Sequence, residues 1–190
     1  ILRDGRFIPY TLTLCVAQAG FFAYIAGSSS VFISHYALSP TQFSLLFALN
    51  AVGLVVAAII NPLVHARLGV LTTFRVVNSA YFVVLALLLG AMLAGVTHLA
   101  VLCGGLFMAV TLLGLLMPTG SQLAMQQQGA VAGTASALLG SLQFGFGAVI
   151  TAVSGALAHH GGLGLVAVMA GCAALSALMC LLLLPRAGAR

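Results

Sequence analysis

Six apolar runs divide the chain, covering residues 8–34, 43–62, 74–93, 99–125, 133–158 and 163–184. Each is long enough for a helix of about 20 residues, which at 1.5 Å per residue crosses ~30 Å of hydrocarbon. Six such helices in 190 residues leave only short connections and no room for a second, soluble domain, so residues 1–190 read as one six-helix transmembrane domain. Boundary chemistry agrees with these cuts. Ser39, Pro40, Thr41 and Gln42 place a serine at an N-cap, proline at the first helical position and glutamine three residues after the cap, which is a capping box. Asn61-Pro62 and Leu184-Pro185 stand where helices weaken or stop, and His160-Gly161-Gly162 reads as a tight turn. Pro118 lies inside the fourth run, where it either kinks one long helix or ends a shorter one.

The polar positions inside these runs differ from span to span. Gln18, Asn50, Thr111 and Gln143 fall near mid-span in spans one, two, four and five. Each either bonds a neighbouring helix or lines an aqueous or substrate cavity. Gln18 keeps company with Phe21, Phe22 and Tyr24, and Thr111 with Phe107 and Met108; aromatics and methionine with sparse polar groups are what a pocket for apolar molecules needs. Span five instead carries Gly133, Gly140, Gly147 and Ser154 at seven-residue intervals, a small-residue seam suited to close packing of two helix backbones or, secondarily, to sliding. Spans three and six contain aliphatic stretches and few polar residues, and are expected to face lipid or act as supports. Polarity therefore repeats every three helices, which predicts two three-helix repeats.

Composition sharpens this picture. The chain is 63% hydrophobic, with six arginines, no lysine and a single acid, Asp4, and has a mean hydropathy of +1.25. A soluble domain carries charge on roughly a quarter of its residues, so that class is excluded. Scattered arginines make no basic face for nucleic acid. In the six-span reading Arg3, Arg6, Arg67, Arg75, Arg186 and Arg190 all share one side; by the positive-inside rule that side is cytoplasmic, with both ends inside. The first residues lack an initiator methionine and an apolar leader, and the chain is expected to begin inside a longer protein.

No aspartate or glutamate lies in any span. Proton relays are normally built on intramembrane acids or histidines, so a coupling group is expected elsewhere. Cys15, Cys103, Cys172 and Cys180 show no paired metal spacing and read as buried thiols, with no metal or cofactor expected. His35, His98, His159 and His160 map to the outer side and His65 to the inner; the pair 159–160 is better explained as a hydrated helix terminus than as a metal site or pH sensor. An integral-membrane enzyme would place such groups in a cluster at one interface, and this chain is expected not to be one.

Three segments carry a family resemblance: Phe22-Ala23-Tyr24-Ile25-Ala26-Gly27-Ser28, then Leu38-Ser39-Pro40-Thr41-Gln42-Phe43-Ser44-Leu45-Leu46-Phe47-Ala48-Leu49-Asn50, and Ala132-Gly133-Thr134-Ala135-Ser136-Ala137-Leu138-Leu139-Gly140-Ser141-Leu142-Gln143-Phe144. In family order, they resemble the C-terminal half of the Bcr/CflA drug-resistance transporters of the major facilitator superfamily. The resemblance implies an all-α integral membrane fold, half of a twelve-helix major facilitator protein whose N-terminal half would be the partner. It implies a bacterial inner membrane location and export of small, often apolar drugs in exchange for protons. Spans one and four would line the central cavity, with Gln18, Phe21, Phe22, Tyr24, Phe107, Met108 and Thr111 as its candidates. Spans two and five, with Asn50, Gly133, Gly140, Gln143 and Gly147, would flank it against the other half, and spans three and six would lie outside. Asn61, Arg67 and Gly69 resemble a degenerate copy of the cytoplasmic loop motif G-x-x-x-D-R-x-G-R, lacking its acid and second basic residue. A non-transporting membrane receptor or scaffold half is the alternative class.

Overall fold

The computed structural model describes residues 7–157 and 160–184. They form six helices long and apolar enough to cross a membrane, and no strand. Helix α1 (Phe7–Ser29) runs on into a π-helical turn (Ser30–His35), followed by α2 (Pro40–Leu68), α3 (Val70–Leu93), α4 (Leu99–Met125), a short 3-10 turn (Gly129–Val131), α5 (Ala132–Ala156) and α6 (Gly161–Leu183). Arg3, Asp4, Arg6, His159, Arg186 and Arg190, on which part of the charge and histidine reading rests, lie outside the described residues.

The capping box at α2 is formed: Gln42 N–H donates to Ser39 Oγ (3.2 Å) and Ser39 N–H donates to Gln42 Oε1 (2.9 Å), with Pro40 in the first turn. Two expectations about prolines are settled by the same element logic. Pro118 sits within one continuous α4. Pro62, expected near a helix end, is passed through, and α2 continues to Leu68. The proline ring stands exposed while the helix is anchored to α4 on either side of it, by the buried side chain of Asn61 before it and by His65 beyond it. The helix stops instead at Gly69, whose φ of +77° favours glycine and turns the chain directly into α3.

Packing follows a pseudo-two-fold exchange of the first three helices with the last three. Helix α1 packs against α4, α5 and α6, while α4 packs against α1, α2 and α3; α3 meets α6. Two equivalent contacts mark the symmetry. The Phe22 ring of α1 lies over Gly147 of α5, where a Cβ would come within 2.6 Å of it, and the Phe107 ring of α4 lies over Gly53 of α2, where a Cβ would come within 2.8 Å. One helix of each repeat is therefore held by the other repeat.

Of the glycines, Gly114 makes the tightest approach to another helix's backbone, between α4 and α2. A Cβ on Gly114 would lie 2.2 Å from the Leu54 carbonyl oxygen and 2.9 Å from Ala57 Cβ. The α2 side of this contact is Asn50, Gly53, Ala57 and Asn61, the residues of α2 that are buried. Their three- and four-residue spacing puts them on one helix face, and their small size lets van der Waals packing hold the pair where lipid offers no hydrophobic drive.

Helices α3 and α6 do more than support. Ser176 Oγ of α6 lies 2.9 Å from both the Thr13 carbonyl of α1 and Asn78 Oδ1 of α3, all fully buried or nearly so. The expectation that spans three and six carry little polar chemistry is corrected here: a single hydroxyl proton shared by two acceptors joins three helices. At one end of the bundle Tyr36 Oη donates to the Thr97 carbonyl (3.0 Å), tying the α1–α2 and α3–α4 connections together. At the other end Arg75 Nη2 donates to the Leu184 carbonyl (3.0 Å), tying the start of α3 to the end of α6.

Candidate substrate-cavity face

Helix α1 is buried on most of its circumference, and the residues that remain open recur at helical spacing. Gln18, Phe21 and Phe22 are half-buried and Ile25 is 44% exposed, so positions i, i+3, i+4 and i+7 form one stripe. The stripe carries one amide in an otherwise apolar wall, and Gln18 Oε1 is buried with no hydrogen-bond partner among the described residues. A buried acceptor without a donor costs free energy comparable to a lost hydrogen bond, and none of the described residues supplies one here.

Behind the stripe stands a ladder of rings. Phe21 stacks on Tyr24 (centroids 6.2 Å apart, planes at 19°), and Tyr24 stacks on Phe47 of α2 (5.8 Å, 7°). Phe47 continues to Phe43 (6.0 Å), Phe43 to Phe32 (6.2 Å) and Phe32 to Tyr36 (6.4 Å), reaching the connection between α1 and α2. Burial pushes the Tyr36 phenol above its ordinary pKa, with Cys103 a lesser cause, which keeps it the protonated donor its bond to Thr97 requires. Tyr24, named with the stripe, is 1% exposed and sits inside this ladder, so it backs Phe21 and does not stand on the open face. Phe43 and Phe47 were missed by the sequence reading, although their i, i+4 spacing on a polar-capped helix was the available signal.

The α4 candidates are not brought together with Gln18. A Cβ on Gly53 would lie 2.4 Å from Thr111 Oγ1, so Thr111 and Phe107 are turned to α2. Thr111 Oγ1 and Asn50 Oδ1 are both buried with no partner among the described residues, within one turn of Gly53; Asn50 Nδ2 donates to Leu46 O of its own helix (2.8 Å). Met108 is 49% exposed. At about 100° per residue it lies between the Phe107 side of α4, which meets α2, and the Gly105 side, which meets Leu88 of α3. Its side chain therefore points away from the α1 stripe.

Of the span-five residues, Gly147 carries the Phe22 ring, and Phe144 meets Phe22 edge-on at 5.7 Å. Gln143 is half-buried. A Cβ on Gly133 or Gly140 would meet nothing within 4 Å. Among the described residues, Gly140 therefore has no close helix neighbour, whereas on α2 and α4 the small residues of one helix face a glycine of the other.

The loop-motif residues separate in role. Asn61 is buried and Gly69 makes the turn into α3, while Arg67 is exposed. Thr119 Oγ1 lies 3.1 Å from Asn61 Oδ1, 2.9 Å from His65 Nε2 and within reach of the Leu115 carbonyl. Its one proton is offered to the Asn61 and Leu115 oxygens, and the hydroxyl shares a hydrogen bond with the His65 ring. His65, two residues before Arg67, joins α2 to α4 by this bond; the motif reading did not include it.

Around this face α2 and α5 are the least buried helices, and they present large apolar side chains outward, among them Leu45, Leu49, Val52 and Ile59 of α2 and Phe144 of α5. Among the described residues, no three histidine, cysteine or acidic side chains gather where they could hold a metal ion.

The chain is similar to proteins of this architecture. It is 31% identical over 160 residues to the uncharacterized MFS-type transporter YdgK of Bacillus subtilis, covering 82% of this chain and 38% of that protein. It is 25% identical over 150 residues to a bicyclomycin resistance protein homolog of Haemophilus influenzae, covering 78% of this chain and 37% of the relative. No family model and no solved structure matches it. The matched segment spans well under half the length of each relative, in keeping with six helices that show an internal two-fold and leave two helix faces open. The chain belongs to the major facilitator superfamily, as a six-helix half of the Bcr/CflA type.

Proposed function

We propose that this chain is the C-terminal half of a proton-coupled exporter of small apolar drugs or metabolites in a bacterial inner membrane. The α1 stripe supplies one wall of its central cavity. The observation that carries this reading is the part-open stripe of α1, in which the Gln18 side chain is the one amide beside Phe21, Phe22 and Ile25. A wall of aromatic area with one amide side chain accepts many apolar molecules and orients those that can hydrogen-bond to it. The name of the Haemophilus influenzae relative, a bicyclomycin resistance protein homolog, supports drugs as the substrate class. No span carries a carboxylate, so the proton-coupling acid belongs to the N-terminal half. The open faces of α2 and α5, with Gly133 and Gly140, are the surfaces that would meet that half. Arg67 and Arg75 mark the cytoplasmic end.

The test uses the full-length parent, in cells loaded with bicyclomycin and, separately, with a lipophilic dye. Gln18→Ala is expected to reduce export of the hydrogen-bonding drug more than that of the dye, and Phe21→Ala to reverse the ranking, at unchanged expression. Uniform loss together with reduced protein would assign both residues to packing. Binding of either molecule without uncoupler-sensitive flux would overturn transport in favour of a receptor.

A further inference from the structure

A second concave feature lies away from the Gln18 stripe. A groove of about 470 Å³ runs between α5 and α6 with α1 as its floor, and its lining, which includes Val16, Ala19, Ile150, Val153, Ala167 and Gly171, is apolar apart from the thiol of Cys172. At about 100° per residue, Val16 and Ala19 stand ~160° and ~100° around α1 from Gln18. The groove therefore opens on the opposite side of the α1–α5 contact made by Phe22 and Gly147. We propose that it holds one acyl chain of a membrane phospholipid as a fixed part of the folded unit.

Three observations carry this assignment. Apart from the weakly polar Cys172 thiol, the lining offers nothing to hold water or a headgroup, so the groove favours hydrocarbon over water. The dimensions match a chain in one leaflet. The α5 wall runs from Phe146 to Leu157, about 16 Å at 1.5 Å per residue, against half of a ~30 Å hydrocarbon core. It ends at the α5–α6 connection, so the leaflet is the one at that end of the bundle. Finally, the groove is continuous with the exposed apolar surface that runs along α6: Val149, Val153 and Leu175 on its rim are exposed, as are Leu178, Leu181 and Leu182 farther along α6. Its depth comes from missing side-chain volume, since a Cβ on Gly171 would meet nothing within 4 Å. An unfilled space there would forfeit the contacts of every residue around it.

Native mass spectrometry of the full-length parent, after exchange into palmitoyl-oleoyl phosphatidylethanolamine and phosphatidylglycerol, tests the site. The unmodified protein is expected to keep one phospholipid at collision energies that strip detergent and all other lipid. Gly171→Leu has open space for its side chain and should fold; by displacing methylenes of the bound chain it is expected to lower the retained fraction about ten-fold. Leu182→Phe, on the exposed surface beyond the groove, should retain it, and Ala167→Leu provides a second filling of the groove should Gly171→Leu lose its helical circular dichroism. Equal retention in the groove variants and the unmodified protein would overturn the assignment, as would no retained mass in any of them. A retained mass of a drug-sized molecule in place of a phospholipid would also overturn it.

Discussion

The contact between α2 and α4 makes a sharp prediction, because a single methyl group decides it. Gly114→Ala would place a Cβ 2.2 Å from the Leu54 carbonyl oxygen, where ordinary contact begins at 3.4 Å, and the obstructing atom is backbone that cannot rotate away. The two helices must separate by more than an ångström. Separation also stretches the hydrogen bonds near their C-terminal ends, where Thr119 lies 2.9 Å from His65 Nε2 and 3.1 Å from Asn61 Oδ1, beyond useful range. Overpacking of this kind costs about 1–3 kcal/mol, and each interhelical hydrogen bond lost adds ~0.6 kcal/mol. The sum is about 2–4 kcal/mol, against a gain of up to ~1 kcal/mol from replacing glycine by alanine in a helix. The assay is thermal unfolding of the full-length parent in detergent, with Gly90→Ala as the control. Gly90 sits within α3, and a Cβ there meets nothing within 4 Å, so that variant receives the propensity gain alone. The midpoint should fall clearly for Gly114→Ala and stay level or rise for Gly90→Ala. Equal midpoints for the two variants would refute the claim that backbone approach holds α2 to α4.

The remaining predictions concern single groups. Ser176→Ala removes the only proton shared by Asn78 Oδ1 and the Thr13 carbonyl in a fully buried site, and is expected to lower unfolding stability by about 1–3 kcal/mol, while Ser79→Ala, on the exposed side of α3, should not. Thr119→Val keeps the shape but leaves His65 Nε2 and Asn61 Oδ1 without their common partner; proteolysis or hydrogen exchange at the C-terminal end of α2 should quicken, and unchanged exchange would assign that end to Gly114 alone. In a parent lacking native cysteines, a cysteine at Thr97 should react with an impermeant thiol reagent from outside and one at Gln127 should not; the reverse pattern would invert the orientation drawn from Arg67 and Arg75.

How much of this was legible in the chain depends on what sets each feature. The apolar runs had to become helices, because no other single segment satisfies its backbone groups in hydrocarbon, and all six formed. Local chemistry was equally readable where it involves neighbours in sequence: the capping box at Ser39 and Gln42 is one such case. The three-helix repeat was visible in the polarity pattern. Tertiary structure alone decided which faces are inside. The small-residue stripe of α5 looked like the helix contact and leaves Gly133 and Gly140 open, whereas the stripe of α2 makes it. Thr111 looked like a cavity hydroxyl and points at Gly53, and Asn78 and Ser176 looked incidental yet join three helices. The physical reason is common to all of these. In water, an apolar stripe on a helix marks the side that packs, because the other side must be polar; in lipid both sides are apolar, so periodicity carries no record of burial. What selects a contact is the fit of one helix surface to another distant in sequence, and that fit came into being only when the six helices packed.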